Sequence, residues 1–249
     1  MINSNTFSNF NSKYPIYADL HTHSISSGHG SEDTITDMIR CASESGLSLF
    51  GISDHGPATS SSAKPSYFQS LKLADRDRFG IRVLYGAELN IINTAGDVDL
   101  DDEILSALDY AIISIHPPIF KPYHDKDLSS AYIRAMDHPK VRFLGHIDDA
   151  RFPVDFEYLL EIAKEKHVYP EINNGSLMPD AYRINGQENC RRILSICKKL
   201  DLPVLLSSDS HGKKNIGNMQ YIFPLLEELD FPAHLVLNSD LSVLSEIIQ

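Results

Sequence analysis

Along most of the chain, short apolar runs alternate with stretches whose apolar residues recur every three or four positions. The runs fall at Ile16 to Leu20, Leu47 to Ser53, Ile81 to Ala87, Tyr110 to Ile115, Arg142 to Gly145, Val168 to Ile172 and Pro203 to Ser208. Their length suits strands rather than helices. Between them, Ile35, Met38, Ile39 and Ala42 form a helical stripe that Gly46 can end. Further stripes are Phe156, Leu159, Leu160 and Ala163, then Cys190, Ile193, Leu194, Cys197 and Leu200, then Met219, Ile222, Phe223, Leu226 and Leu229. Ser239 is placed to N-cap a last helix through Ile248.

Strands alternating with helices imply βα units, with parallel strands and helices outside them. The polar residues then favour a closed barrel over an open sheet. Directly after the seven runs come His21/His23, Asp54/His55, Glu88, His116, His146, Asn173/Asn174 and Asp209/His211. Along an open sheet these groups would spread out, whereas a barrel gathers its strand ends on one rim, where barrel enzymes place their chemistry.

Composition narrows the setting. A chain of 249 residues with 42% hydrophobic content builds one sizeable core. The first fifteen residues are polar, lack the order of a signal peptide and read as a flexible tail, which leaves residues 16–249 as one catalytic domain. No apolar run approaches the ~18 residues that span a bilayer. Cys41, Cys190 and Cys197 form no CxxC pair, so reduced thiols in a cytoplasmic protein are expected. A net charge of −12 argues against a general grip on nucleic acid. An acidic chain still binds phosphate where a cation supplies the positive charge. Ser60 to Lys64 reads as an exposed loop.

Taken singly, the rim residues have bland readings. His21 and His23 share one face of a strand, but an HxH pair arises often by chance. His29 in a Ser/Gly loop reads as solvated, Asp54-His55-Gly56 as a turn, and Glu88 as a solvated rim carboxylate. His116 and His146 read as satisfied rim histidines. Together the picture changes. Seven of the eleven histidines, with Glu88 and Asp209, crowd one rim, and that density of carboxylate and imidazole is untenable without cations. Such ligands suit Zn²⁺, Mn²⁺ or Fe²⁺ better than Mg²⁺ or Ca²⁺, and about nine ligands match three ions with open positions.

The motifs DLHTHS, SDHG, GAELNI, IHPPIF, GH at Gly145-His146, EINNGS, GQENCRRI and SSDSHG resemble those of the PHP (polymerase and histidinol phosphatase) superfamily, in its YcdX-like phosphatase branch. The resemblance runs from about Tyr17 onward. It implies a distorted TIM-like (β/α)7 barrel with a trinuclear site at the C-terminal rim of the strands. By the same resemblance, His21, His23, Glu88 and Asp209 would hold one ion. Glu88 would bridge to a second, held also by His116 and His146, and His29, His55 and His211 would hold the third. The sequence departs from the branch after the fifth strand, where Ile147-Asp148-Asp149 replaces a Pro-Gly continuation. That leaves substrate preference open between the branch and histidinol-phosphate phosphatases.

The expected reaction is hydrolysis of phosphate monoesters of small molecules by metal-activated hydroxide, with Glu88, Asp209 and His211 acting through the metals. Asp54 and Asp148 are candidates for the leaving-group acid. Arg183, Arg191 and Arg192 are candidates to grip phosphate, although a helix-surface arginine is more often solvated. A phosphodiesterase or nuclease, and a non-catalytic metal-binding module, are the other readings. His124, His138, His167 and His234 lie outside the pattern and are expected to be structural or solvated. The oligomeric state is open.

Overall fold

All seven apolar runs form strands. The computed structural model describes residues 11–117, 119–120 and 126–248, so His124 and most of the expected tail lie outside the described residues. In chain order the strands are β1 (Ala18–Asp19), β2 (Thr22–His23), β3 (Leu49–Ile52), β4 (Asp77–Arg78) and β5 (Ile81–Asn90). They continue as β6 (Tyr110–Ser114), β7 (Val141–Leu144), β8 (Tyr169–Asn173), β9 (Leu205–Ser207) and β10 (Ser210–His211). The helices are α1 (Ile35–Glu44), α2 (Pro65–Ser70), α3 (Asp102–Leu105), α4 (Ser129–Ala135), α5 (Phe156–Glu165), α6 (Gly186–Leu200), α7 (Phe223–Glu228) and α8 (Leu241–Ile248).

Seven parallel strands, in the order β1-β3-β5-β6-β7-β8-β9, wrap into a nearly closed barrel, with β4 antiparallel on β5. Among the described residues, β1 and β9 share no ladder. Their continuations β2 and β10 pair instead, with His211 opposite His23. Below that pair, Asn238 stitches the seam. Its Nδ2 donates to the carbonyls of Ala18 and Leu206, each at 2.8 Å, and its Oδ1 accepts from the Leu206 amide at 2.7 Å.

Two cores follow from the closure. One fills the barrel with Ala18, Leu20, Leu84, Tyr110 and Phe143, and is plugged from below by Leu244 and Ile248 of α8. The larger one lies between strands and outer helices, where the stripes of α1, α5 and α6 bury Ile39, Leu160 and Ile193. Helix starts are fixed locally. Thr34 and Asp37 form a capping box on α1, and the Asp155 carboxylate caps α5.

Three expectations are corrected. Asp240, not Ser239, caps α8: its Oδ1 accepts from the amides of Ser242 and Val243, while Ser239 Oγ donates to the Pro15 carbonyl. The stripe from Met219 becomes α-helix only at Phe223, with Pro224 in the first turn where its missing amide is tolerated. The residues before it form turns, with the Ile222 and Phe223 amides donating to the Met219 carbonyl at 3.0 and 3.3 Å. The tail ends before residue 15. Tyr14 is fully buried, and its hydroxyl donates to the Phe231 carbonyl at 2.8 Å.

Candidate metal centre

The ends of the strands bring the histidines and carboxylates together as the barrel requires. Glu88 near the end of β5 is fully buried and central. Its Oε2 faces His21 Nε2 at 3.3 Å, His23 Nε2 at 3.5 Å and His55 Nδ1 at 2.6 Å. Its Oε1 faces His146 Nε2 at 2.8 Å and His116 Nε2 at 3.3 Å. Asp209 Oδ1 lies 3.2 Å from His23 Nε2 and 3.8 Å from His21 Nε2. The ring of His29 lies 4.9 Å from that of His55 and 5.1 Å from that of His211, between centroids.

Several of these atoms are buried without a hydrogen-bond partner: Nε2 of His21, His23 and His211, Nδ1 of His55 and Oε2 of Glu88. The 2.6 Å approach of His55 to Glu88 is therefore a contact without hydrogen-bond geometry. An unpaired buried polar atom costs about 1–3 kcal/mol, so a cluster of them aimed at one space fits cations and little else. Three overlapping sets have ligand atoms mutually within 4.8 Å: His21, His23 and Glu88; His23, His55 and His211; His55, Glu88 and His116.

A second layer orients the first. His21 Nδ1 is held by Glu171 Oε1 at 2.5 Å, and His23 Nδ1 by Ser27 Oγ at 3.0 Å. Ser27 in turn donates to Asp54 at 2.7 Å. His116 Nδ1 meets Asn90 Oδ1 at 2.7 Å, and the Asn90 side chain donates to Asp99 at 2.6 Å. Each contact fixes the far ring nitrogen and aims the near one at the cluster, the usual support for metal-ligating imidazoles. The backbone is also turned for the purpose. His146 and Asp209 adopt left-handed φ values of 28° and 52°, uncommon for residues other than glycine.

Protonation states suit ligation, which needs neutral imidazole and ionised carboxylate. Burial pushes His23 well below its usual pKa, and His55 and His211 push the same way. For Glu88, burial acts upward but is outweighed by His116, His55 and His21, leaving it well below the carboxylate range. Asp209 is lowered likewise, its burial offset by His21 and Arg183. His21 is the exception. Burial lowers it, yet Glu171, Glu88 and Asp209 together raise it well above its usual value.

The centre opens into a cavity of about 620 Å³. Of the three arginines singled out, only Arg183 lines it, with Nη2 donating to Asp209 Oδ2 at 2.7 Å and Nη1 to Ser176 Oγ at 3.2 Å. Arg191 pairs with Glu228 at 2.8 Å and Arg192 with Glu157 at 2.7 Å, both in exposed ion pairs elsewhere. Neither candidate acid lines the cavity. Asp54 is consumed by four donors, the Ser24 amide and hydroxyl, Ser27 Oγ and the Tyr67 hydroxyl. Asp148 is fully buried and without a hydrogen bond to either oxygen. Ser60 and Ser61, in the loop expected to be merely exposed, line the cavity. Sequence reasoning gave no role to Glu171, Asn90 and Asp99, although they fall in the EINNGS, GAELNI and GDVDL stretches that are similar to the branch, because a supporting carboxylate or amide carries no spacing signal of its own. His138 bonds Asp102 at 2.7 Å, and His234 lies in an exposed pair with Asp201.

Comparison with known proteins gives four findings. The family model described as PHP domain matches residues 19–175. A protein of Clostridium acetobutylicum named "Probable phosphatase" is 37% identical over 222 residues, covering 89% of this chain and 90% of its own. One of Acetivibrio thermocellus with the same name is 34% identical over 231 residues, covering 93% of this chain and 94% of its own. Among solved structures, a histidinol phosphate phosphatase from Lactococcus lactis, complexed with zinc, L-histidinol and phosphate, is similar at a TM-score of 0.60. It is 20% identical, and the match covers 86% of this chain and 94% of that one.

Proposed function

The chain belongs to the PHP domain family, and from that premise we propose that it is a metal-dependent phosphatase acting on monoesters of small molecules. Its relatives are named as phosphatases, and its rim carries three overlapping groups of metal-competent side chains. The observation that carries the reading is the convergence of unpaired atoms from His21, His23, His55, His211 and Glu88 on one space beside Arg183. We read the chain from Tyr14 onward, two residues more than the expected 16–249, as one catalytic domain acting in the cytoplasm, where its free cysteines suit a reducing setting.

Three ions are proposed. His21, His23, Glu88 and Asp209 would hold the first; Glu88, His116 and His146 the second; His29, His55 and His211 the third. The bridge is supported by Glu88 itself, whose two oxygens face different imidazoles: Oε1 faces His116 and His146, and Oε2 faces His21, His23 and His55. Zinc is the first ion to supply, with manganese and iron as alternatives. Divalent ions held there supply Lewis acidity toward the phosphoryl oxygens and a nucleophilic water at neutral pH.

The chain's own residues do the rest. Arg183 is placed to bind a phosphoryl oxygen, with Asp209 and Ser176 fixing its fork in the cavity wall. Glu171 and Ser27 hold the far nitrogens of His21 and His23, so that neither ring can turn its lone pair away. Asp54 serves as an anchor for the Ser24–Ser27 turn rather than as an acid.

The test is turnover of p-nitrophenyl phosphate against bis-p-nitrophenyl phosphate and histidinol phosphate, after metal stripping and readdition. Metal-dependent release from the monoester, well above the diester, supports the reading. Dominant diester cleavage would favour a phosphodiesterase, and no turnover with any ion would leave a metal-binding module.

A further inference from the structure

The cavity has an organic side as well as a metal side, and the two differ in kind. Apart from the proposed metal ligands, Arg183 is the only charged residue among the described residues lining it, and Asp209 already neutralises it at 2.7 Å. No described carboxylate remains in the wall to receive an ammonium group. Pro117, Ile119 and Tyr182 present apolar and aromatic surface instead.

Tyr182 is built as a platform. It stays 71% exposed although it lines the cavity, an unusual cost for a large aromatic residue. The Arg151 guanidinium lies 4.1 Å from its ring centroid. Arg151 is in turn locked by Asp149, with Nε 3.0 Å from Oδ1 and 2.9 Å from Oδ2. The loop is pinned before the ring by the Ala181 amide donating to the Met178 carbonyl at 3.0 Å, and after it by Arg183 on Asp209 and by the Ile184 carbonyl accepting from the Ala150 amide at 2.9 Å. Ring and phosphate-gripping arginine are thus neighbours in the chain, about 3.8 Å apart at their Cα atoms. A phosphate at the centre and a ring on Tyr182 are within reach of one small molecule.

We propose that the alcohol part of the substrate is an uncharged aromatic group that stacks on Tyr182. The inference rests on the phosphatase reading for its phosphate end. An aromatic pair contributes enough beyond simple burial to give roughly 3- to 10-fold discrimination. A cationic alcohol such as an amino alcohol finds no free carboxylate among the described residues of this wall, and the Arg151 guanidinium already lies over the Tyr182 ring, where a cation would otherwise be drawn.

The test uses the metal-loaded protein with three alkyl monoesters of similar leaving-group chemistry: 2-phenylethyl, ethyl and 2-aminoethyl phosphate. The wild type is expected to prefer the phenylethyl ester in kcat/KM. Tyr182→Ala should cut its advantage over the ethyl ester about 3- to 10-fold, and Tyr182→Phe should keep it. An unchanged ratio in Tyr182→Ala, or a preference for the aminoethyl ester, would overturn the proposal. Calorimetric binding of 2-phenylethylphosphonate and ethylphosphonate separates the two readings. If no ester turns over but Tyr182→Ala abolishes the phosphonate preference, the hydrolase reading fails and the aromatic subsite stands. If there is no Tyr182-dependent preference in binding either, the subsite fails too.

Discussion

Replacing Glu171 with glutamine probes the centre from behind. Oε1 receives His21 Nδ1 at 2.5 Å and the Ser207 hydroxyl, and Oε2 receives the His146 amide at 2.7 Å and Asn173 Nδ2 at 3.3 Å. Both oxygens are acceptors for donors, and glutamine keeps only one. With its NH2 toward His146, a backbone donor that cannot adapt meets another donor in a fully buried site. That costs about 1–3 kcal/mol. At about 2–4 °C per kcal/mol for a chain of this size, Tm falls roughly 2–12 °C. With its NH2 toward His21, the ring must accept at Nδ1 and carry its proton on Nε2, the atom aimed at Glu88. The protein then keeps its fold and loses a ligand, about 10- to 100-fold in metal affinity by the measure of other outer-layer contacts. Calorimetry on the metal-free protein reads the first outcome, and competition against a chelator reads the second. A Glu171→Gln protein with wild-type Tm and metal affinity within twofold of wild type would refute the reasoning, because no orientation of the amide satisfies all four donors.

Purified protein should carry about three divalent ions per chain by elemental analysis, and one ion or fewer after reconstitution would sink the trinuclear assignment. Glu88→Gln should lose metal and turnover together, since the amide removes the charge between two cation positions. His29→Ala, altering the most exposed of the nine, should chiefly deplete the third ion; equal losses from the two variants would contradict the proposed grouping. Alanine at His138, His167 or His234 should leave turnover within a few-fold, and loss of activity with fold and metals intact would mean that the site extends further. Asn238→Ala should lower stability by about 2–4 kcal/mol, because it leaves the Ala18 carbonyl and the Leu206 amide and carbonyl unpaired in a buried seam; an unchanged denaturation midpoint would show that the seam closes without it.

The rim was readable because a barrel places its chemistry where its strands end. The apolar runs mark those ends, and His21, Glu88, His116 and Asp209 follow them directly. Glu171 was not readable as an anchor for the converse reason: it opens the EINNGS stretch but sits within an apolar strand, and the stretch does not say that its carboxylate reaches His21, distant in the chain. Arg183, Arg191 and Arg192 look alike in sequence, and only the fold turns one of them inward while the others find exposed glutamates. The two acid candidates stay out of the cavity for different reasons: Asp54 is satisfied partly by serines 27 and 30 residues earlier, whereas Asp148 is fully buried away from the cavity wall. Asn238 ends the stretch DFPAHLVLN, which is similar to the same branch, but its role was not readable there because that role lies in two strands that the sequence alone does not place side by side.

That seam also orders events in time. The hydrogen bond from Asn238 to Ala18 joins residues 220 positions apart, and β1, only two residues long, is otherwise held at the seam through Asp19, whose carboxylate accepts from the Ser208 amide and hydroxyl and the Gly217 amide. A chain emerging from the ribosome can pair β3 through β9 in sequence as each appears, but neither the Asn238 stitch nor the floor formed by α8 is in place until residues 235–248 arrive. The proposed metal ligands straddle the same gap, His21 and His23 on one lip and Asp209 and His211 on the other. A cation captured there would act as a clasp, so that loading with metal and completion of the ring become one step. Newly made chains starved of metal would linger with an open seam, exposed to proteases that the finished ring excludes.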